Sequence, residues 1–220
     1  MKLTQAQIQR NKETFIARLS TVNRPGMTDF LDWLVNRTDF FTAPAAVSNH
    51  GSYEGGLCEH SLQVYEALVT SLKYENNTLP MIGNPLNEYT DDNLIIAGLL
   101  HDICKVNMYQ TEIRNAKDTS TGQWYPYWSY VIKDTLPLGH GEKSVILIQN
   151  FMRLNPCEML AIRWHMGASD PGAFLSPYTK SAYNDAVSNC PLVMYLQHAD
   201  AVAAFLMQGR CDAKVENIMG

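Results

Sequence analysis

The chain has 220 residues, 46% of them hydrophobic and 18% charged, with 17 Lys and Arg against 22 Asp and Glu for a formal charge of -5. That length buries a core without covalent staples, so one domain is expected, and the acidic balance removes any general attraction for a polyanion. No segment reaches the roughly 18 uninterrupted apolar residues of a membrane span, and the stretch from Met1 to Arg10 lacks an apolar leader, which sets the expectation of a soluble, cytoplasmic protein with no membrane partner.

The 5 cysteines, Cys58, Cys104, Cys157, Cys190 and Cys211, form no Cys-x-x-Cys pair and lie mostly in apolar stretches. They are expected to be reduced core residues. Thr4 is a natural cap for a first helix carrying Ile8, Phe15, Ile16 and Leu19, which Asn23-Arg24-Pro25-Gly26 ends. A second helix is expected over 27–37, with Phe30, Leu31, Trp33, Leu34 and Val35, followed by an irregular stretch to about residue 48 in which Pro44 is a breaker. The turn-rich segment Gly51 to Gly56 leads into a helix over about 57–74, whose stripe Leu57, Val64, Tyr65, Leu68 and Leu72 fits a 3.6-residue period.

A polar connector around 76–85 precedes a helix that runs through Leu94, Ile95, Leu99 and Leu100 into His101-Asp102. From 108 to 133 the period changes. Tyr109 to Ile113 and Trp124 to Ile132 are β-prone, with Ser120-Thr121-Gly122 as a turn, and the alternation predicts a two-faced hairpin packed on the helices. Helices are expected again over about 141–154, 156–166 and 191–208, the last preceded by a loop rich in Gly, Pro, Ser and Asp. The fold expected is mainly α, a helical bundle with a small β-hairpin insertion: a single domain over 1–220, with an N-terminal helical brace over 1–45 and a core over 46–210.

Polar residues interrupt these apolar helices at particular points: His60 in Gly56-Leu57-Cys58-Glu59-His60-Ser61, the pair His101-Asp102, His140, His165 after Trp164, and Asp200 in His198-Ala199-Asp200. Each is costly to bury alone, and a shared cation offsets that cost. A hydrogen-bonded polar network without metal is the other arrangement that satisfies them.

The ordered set His60, His101-Asp102, His140, His165 and Asp200 resembles the HD-domain superfamily of metal-dependent phosphohydrolases, over a span from about His50 to Gln208. The flanks Gly55 to Ser61, Leu99 to Lys105 and His198 to Asp200 look most like those in the HD domain of YhaM-type exoribonucleases and related bacterial and phage proteins. The resemblance implies a helical bundle around a centre in which His60, His101, Asp102 and Asp200 hold one ion, and Asp102 bridges to a second held by His140 and His165. In a one-metal version, His140 and His165 meet substrate phosphate instead. Imidazole-rich, carboxylate-bridged sites suit Mn, Fe, Co, Ni or Zn better than Mg.

The activity implied is hydrolysis of a phosphomonoester or phosphodiester bond in a nucleotide or short oligonucleotide by a metal-activated hydroxide. Asp102 and Lys105 would be catalytic, with Lys105 orienting phosphate, although a lysine there also suits a helix C-terminus. His50 matches a histidine that reaches substrate in the YhaM-like group, and otherwise serves as a loop residue. Cys104 stands where the family usually has glycine, which bears on the local backbone. Glu59 and His198 flank ligands on other helix faces, and Arg163 is more often a solvated helical arginine than a phosphate contact. Trp124, Tyr125, Tyr127, Trp128 and Tyr130 either stack a base or pack the hairpin. Two other functions stay open: a non-catalytic metal- or nucleotide-binding regulator, and a 3′-to-5′ exonuclease, against which the lack of any recognisable OB-type segment counts.

Overall fold

A computed structural model describes residues 3–48, 50–78, 89–170, 172 and 175–207. The connector expected around 76–85 lies largely outside these residues, as do Gln208 and Cys211. Helices dominate, joined by one two-stranded antiparallel sheet. Helix α1 (Gln5–Leu19) starts at the expected Thr4, whose side chain and that of Gln7 cap each other's backbone N–H groups. Helix α2 (Met27–Arg37) has the expected bounds and buries Met27, Phe30 and Leu34.

Helix α3 (Gly56–Thr78) is the central column. Its Leu57, Cys58 and Tyr65 join a core formed with Phe15, Leu19, Phe30, Leu34 and Phe40 from the amino-terminal helices and Ile96, Leu99 and Leu100 from α4 (Asp91–Leu100). Its Val64, Leu68 and Leu72 join a second core with Trp164, Leu192, Val193 and Leu196. Helix α4 buries every residue from Ile95 to Leu100, the pattern of a helix enclosed on all sides. Each large side chain buried this fully is worth about 1.5–3 kcal/mol, so the first two helices contribute directly to the main core.

A short 3₁₀ turn (Ile103–Lys105) follows α4, then strands β1 (Tyr109–Lys117) and β2 (Trp124–Ile132), paired from Tyr109↔Ile132 to Lys117↔Trp124. The hairpin exists as expected, and its turn is held by the Asp118 carboxylate accepting from Ser120 and Thr121. Its packing differs from the expectation. Only its base is anchored, with Val131 buried and Tyr109 donating to the Ala45 carbonyl at 3.3 Å. Trp124 and Trp128 are 68% and 69% exposed, and Tyr125 and Tyr127 are exposed too. The alternation is real, but nine-residue strands carry its outer half beyond the helices, so neither face of that half meets a partner.

Helices α5 (His140–Gln149) and α6 (Pro156–Trp164) are shorter than expected, the first ending at a turn through Asn150 and Phe151. A further helix, α7 (Pro177–Asn189), occupies part of the segment read as a loop. Its polar composition hides the stripe Ala182, Tyr183 and Ala186, which faces the second core. Ser176 caps it in a capping box with Thr179, and Pro177 opens its first turn. Helix α8 (Leu192–Val202) continues into a π turn (Ala203–Met207). Among the described residues no single helix is long and apolar enough to cross a membrane.

The expectation of reduced cysteines fails at one pair: Cys157 and Cys190 form a disulfide. They stand 33 residues apart, but the second core brings the start of α6 against the end of α7 with a Cα separation of 5.6 Å, within bridging range. Cys58 and Cys104 are free and buried.

Candidate metal centre

Five helices converge on one buried polar cluster: α3 brings His60, the end of α4 brings His101 and Asp102, α5 starts with His140, α6 ends at His165, and α8 brings Asp200. Two glycines permit that convergence. A Cβ on Gly98 would lie 2.9 Å from the Tyr65 Cα, so α4 and α3 touch backbone to side-chain stem one turn before His101. A Cβ on Gly141 would collide with the Arg163 carbonyl, and its absence sets His140 beside His165 with ring centres 5.1 Å apart.

His101 and His165 are placed by the same device. Each is the first residue past its helix, still in helical conformation, and each Nδ1 sits against a carbonyl three residues back: Gly98 O at 2.9 Å and Ile162 O at 2.7 Å. Those carbonyls belong to the last helical turn, where they otherwise lack partners. Donation from Nδ1–H fixes the ring and leaves Nε2 as the lone-pair nitrogen, the arrangement in which histidine ligates metals. Asp102 then leaves the helix at φ -105°, ψ 19°, turning its carboxylate back into the cluster.

The carboxylates sit among the imidazoles. Asp102 Oδ1 is 2.8 Å from His140 Nε2 and 3.6 Å from His165 Nε2; its Oδ2 is 3.4 Å from His101 Nε2 and 3.7 Å from His60 Nε2. Asp200 Oδ1 is 3.0 Å from His60 Nε2 and 4.0 Å from His101 Nε2. Asp102 therefore faces all four rings, one oxygen toward each pair. His60, His101, Asp102 and His165 are almost wholly buried and form the floor, whereas His140, Asp200 and Lys105 retain partial access to solvent at the mouth.

Burial by itself would push Asp102 up, but the Lys105 charge and the surrounding imidazoles hold it well below the usual carboxylate range. Asp200 is likewise held low, with burial opposed chiefly by His60. Burial would lower His140, and the bonds to Asp102 and Cys104 outweigh it, raising the ring to about 9. Lys105 Nζ lies 2.7 Å from Asp102 Oδ2, so this lysine is drawn inward onto the carboxylate rather than spent on a helix end.

Among the described residues 7 buried side-chain polar atoms have no hydrogen-bond partner, and those at His60 Nδ1, His60 Nε2, His101 Nε2 and His165 Nε2 are all imidazole nitrogens of this cluster. Asp200 Oδ1 lies 3.0 Å from His60 Nε2 without forming a hydrogen bond to it. A buried network that existed only to satisfy itself would not leave these atoms open. The donor set fits a cation: His60, His101 and Asp200 form one group with ligand atoms within 4.8 Å, and His101, Asp102 and His165 form another. Imidazole and carboxylate together suit a borderline divalent ion.

Comparison with protein-family models, curated proteins and solved structures finds no match. What stands is the geometry: a buried His and Asp cluster able to bind metal.

The remaining expected residues divide clearly. His50 lies at the cluster, its ring centre 5.0 Å from that of His60, and burial with the neighbouring His60 and Lys105 lowers it to about 4. Glu59 accepts a bond from Tyr53 at 2.5 Å and His198 is exposed, so neither enters the cluster. Arg163 is neither solvated nor free for phosphate, because it pairs with Glu142 at 2.6 Å and Asp170 at 2.5 Å and stacks on Trp164. Cys104 keeps an ordinary backbone; among the described non-glycine residues only Asn107 has positive φ. The residue that spacing did not flag is Cys104 itself, which forms a third group with Asp102 and His140.

Proposed function

We propose that the chain is a metal-dependent phosphohydrolase of the HD type, cleaving a phosphomonoester or phosphodiester bond in a nucleotide or short oligonucleotide. The observation that carries this reading is the set of orphaned Nε2 atoms at His60, His101 and His165, converging with Asp102 in a buried floor beneath a partly open mouth that holds Asp200. His60, His101, Asp102 and Asp200 would hold one divalent ion, and Asp102, His140 and His165 a second, with Mn, Fe, Co, Ni or Zn favoured over Mg. When bound, such ions lower the pKa of water and neutralise charge growing on a phosphoryl group.

The chain's own groups supply the rest. Asp102 bonds His140 and faces the other three rings, and with an oxygen toward each pair it would serve both positions. Lys105, at the mouth and 2.7 Å from Asp102, would exchange that pairing for a substrate phosphate oxygen. His50, neutral near pH 7, offers a substrate a hydrogen bond without adding charge. The exposed Trp124, Tyr125, Tyr127 and Trp128 favour the oligonucleotide form of this reading, because aromatic faces outside the bundle are free to stack bases.

The test is a metal-loaded screen of phosphomonoesters, nucleotides and labelled single strands, with Asp102→Asn as the control. Release of phosphate or nucleotide that the variant lacks supports hydrolysis. Processive trimming with steep salt dependence identifies the exonuclease form. Tight nucleotide binding with no turnover by either protein sinks the enzymatic reading and leaves a regulator.

A further inference from the structure

We propose that the Cys104 thiolate is a ligand of the ion on the His140 side, making that position a sulfur-bearing site built from Asp102, Cys104 and His140 and selective for a thiophilic borderline cation such as Zn²⁺, Co²⁺ or Fe²⁺. The inference rests on the metal-centre reading above and goes beyond it in donor set and metal class.

Cys104 is buried at 2% exposure, and its sulfur points into the cluster rather than into the apolar core. Its Sγ lies beside the ring, 3.2 Å from His140 Nδ1 and 3.8 Å from His140 Nε2, and Nε2 is in turn 2.8 Å from Asp102 Oδ1. Metal–sulfur and metal–nitrogen bonds near 2.3 and 2.0 Å put the two donors roughly 3.5 Å apart in a tetrahedron, so a cation needs little rearrangement to be held between them. The backbone keeps the sulfur there: the Cys104 N–H donates to Ser144 Oγ on α5 at 3.1 Å, locking the 3₁₀ turn against the helix that starts with His140.

A second observation points to a ligand at the same place. His165 Nε2 is buried, unpartnered and 3.6 Å from the Asp102 oxygen that faces His140, so the position has a fourth donor with nothing else to bind. A glycine at 104 would leave an oxygen and nitrogen set. The cysteine adds a soft donor, which shifts preference away from Mg²⁺ and Mn²⁺. On coordination the S–H bond is exchanged for a sulfur–metal bond, and the proton passes to solvent.

The experiment uses the full chain titrated with Co²⁺. A near-ultraviolet sulfur-to-cobalt charge-transfer band is expected in the wild type, lost in Cys104→Ser and Cys104→Gly, and retained when Cys58 and Cys211 are both changed to serine. In the two Cys104 variants the visible bands of cobalt held by His60, His101 and Asp200 persist, which also shows that the variants fold. Cobalt bound without the band overturns the Cys104 assignment alone and leaves the sulfur as a hydrogen-bond partner of His140. A band that survives in both Cys104 variants overturns it as well. If the chain binds no cobalt, the metal-centre reading falls and this proposal with it.

Discussion

Two of the buried ionic clusters among the described residues are satisfied to opposite degrees. In the first, Glu158 is fully buried, and Arg24 closes on it with two bonds, at 2.6 and 2.9 Å. Asn93 donates to the same carboxylate at 2.9 Å and the Asn155 N–H at 2.9 Å, so four bonds tie the α1–α2 loop, α4 and the start of α6 together. In the second, around Asp102, imidazole nitrogens remain open although they are equally buried. A closed cluster holds elements in place, and an open one is shaped for something that is not protein. Charge and burial alone do not separate the two; the bonding inventory does.

The largest effect expected from breaking that contrast is on the open side. Asp102→Asn keeps the shape and removes the charge that faces all four rings, so metal content should fall to background and turnover by on the order of 10⁴-fold. Metal analysis and single-substrate kinetics check this, with circular dichroism confirming the helices. Metal content within a few-fold of wild type would place the ions elsewhere.

On the closed side the prediction inverts. Arg24→Ala strands the Glu158 carboxylate in the interior and should cost about 3–5 kcal/mol in urea unfolding. Metal per folded chain should be unchanged, since neither residue touches the cluster. A loss below about 1 kcal/mol would mean that water reaches Glu158 and that the cluster is not closed.

Ligand binding sharpens the distinction further. A metal that binds only the folded chain should raise its stability by about 2.7 kcal/mol at a hundredfold excess over Kd. The gain in Tm should be as large in Arg24→Ala as in wild type and absent in Asp102→Asn. An equal gain in both variants would signal adventitious surface binding.

The contrast also explains what sequence could and could not reveal. His60, His101, Asp102, His165 and Asp200 stood out because each breaks an apolar helix, and such residues have few fates other than convergence. Thr4 and the alternation in β1 and β2 exposed their elements for local reasons, as capping and strand period act over a few residues. What stayed hidden depends on distant packing. The Cys157–Cys190 pair is set by how α6 and α7 meet in the second core, and α7 carries too short an apolar stripe to rise above its polar residues. Cys104 passed as one more apolar core position, because the proximity of its sulfur to His140 arises only when α5 docks on the turn after α4. The exposed hairpin failed for the complementary reason: alternation specifies two faces but not what lies beneath them.

The smallest effect is a matter of protons, and it lies in the open cluster. His140 in the metal-free protein titrates near 9, above the ~6.5 of an unfolded histidine, because its bonds to Asp102 and Cys104 outweigh the opposing effect of burial. A raised histidine stabilises the folded state fully below about pH 6.5, and that contribution is lost as pH climbs through about 9. Metal-free protein should therefore lose stability across that window. To bind through Nε2 the ring must give up its proton, so metal uptake near pH 7.5 should release about one proton from His140, and the count should fall toward zero as pH climbs well past 9. Calorimetric titration in two buffers of different ionisation enthalpy reads that count, with His140→Ala as the reference. If the wild type and the variant release the same number at pH 7.5, His140 does not ligate the ion, and the second position loses a donor that both the two-metal arrangement and the Cys104 assignment require.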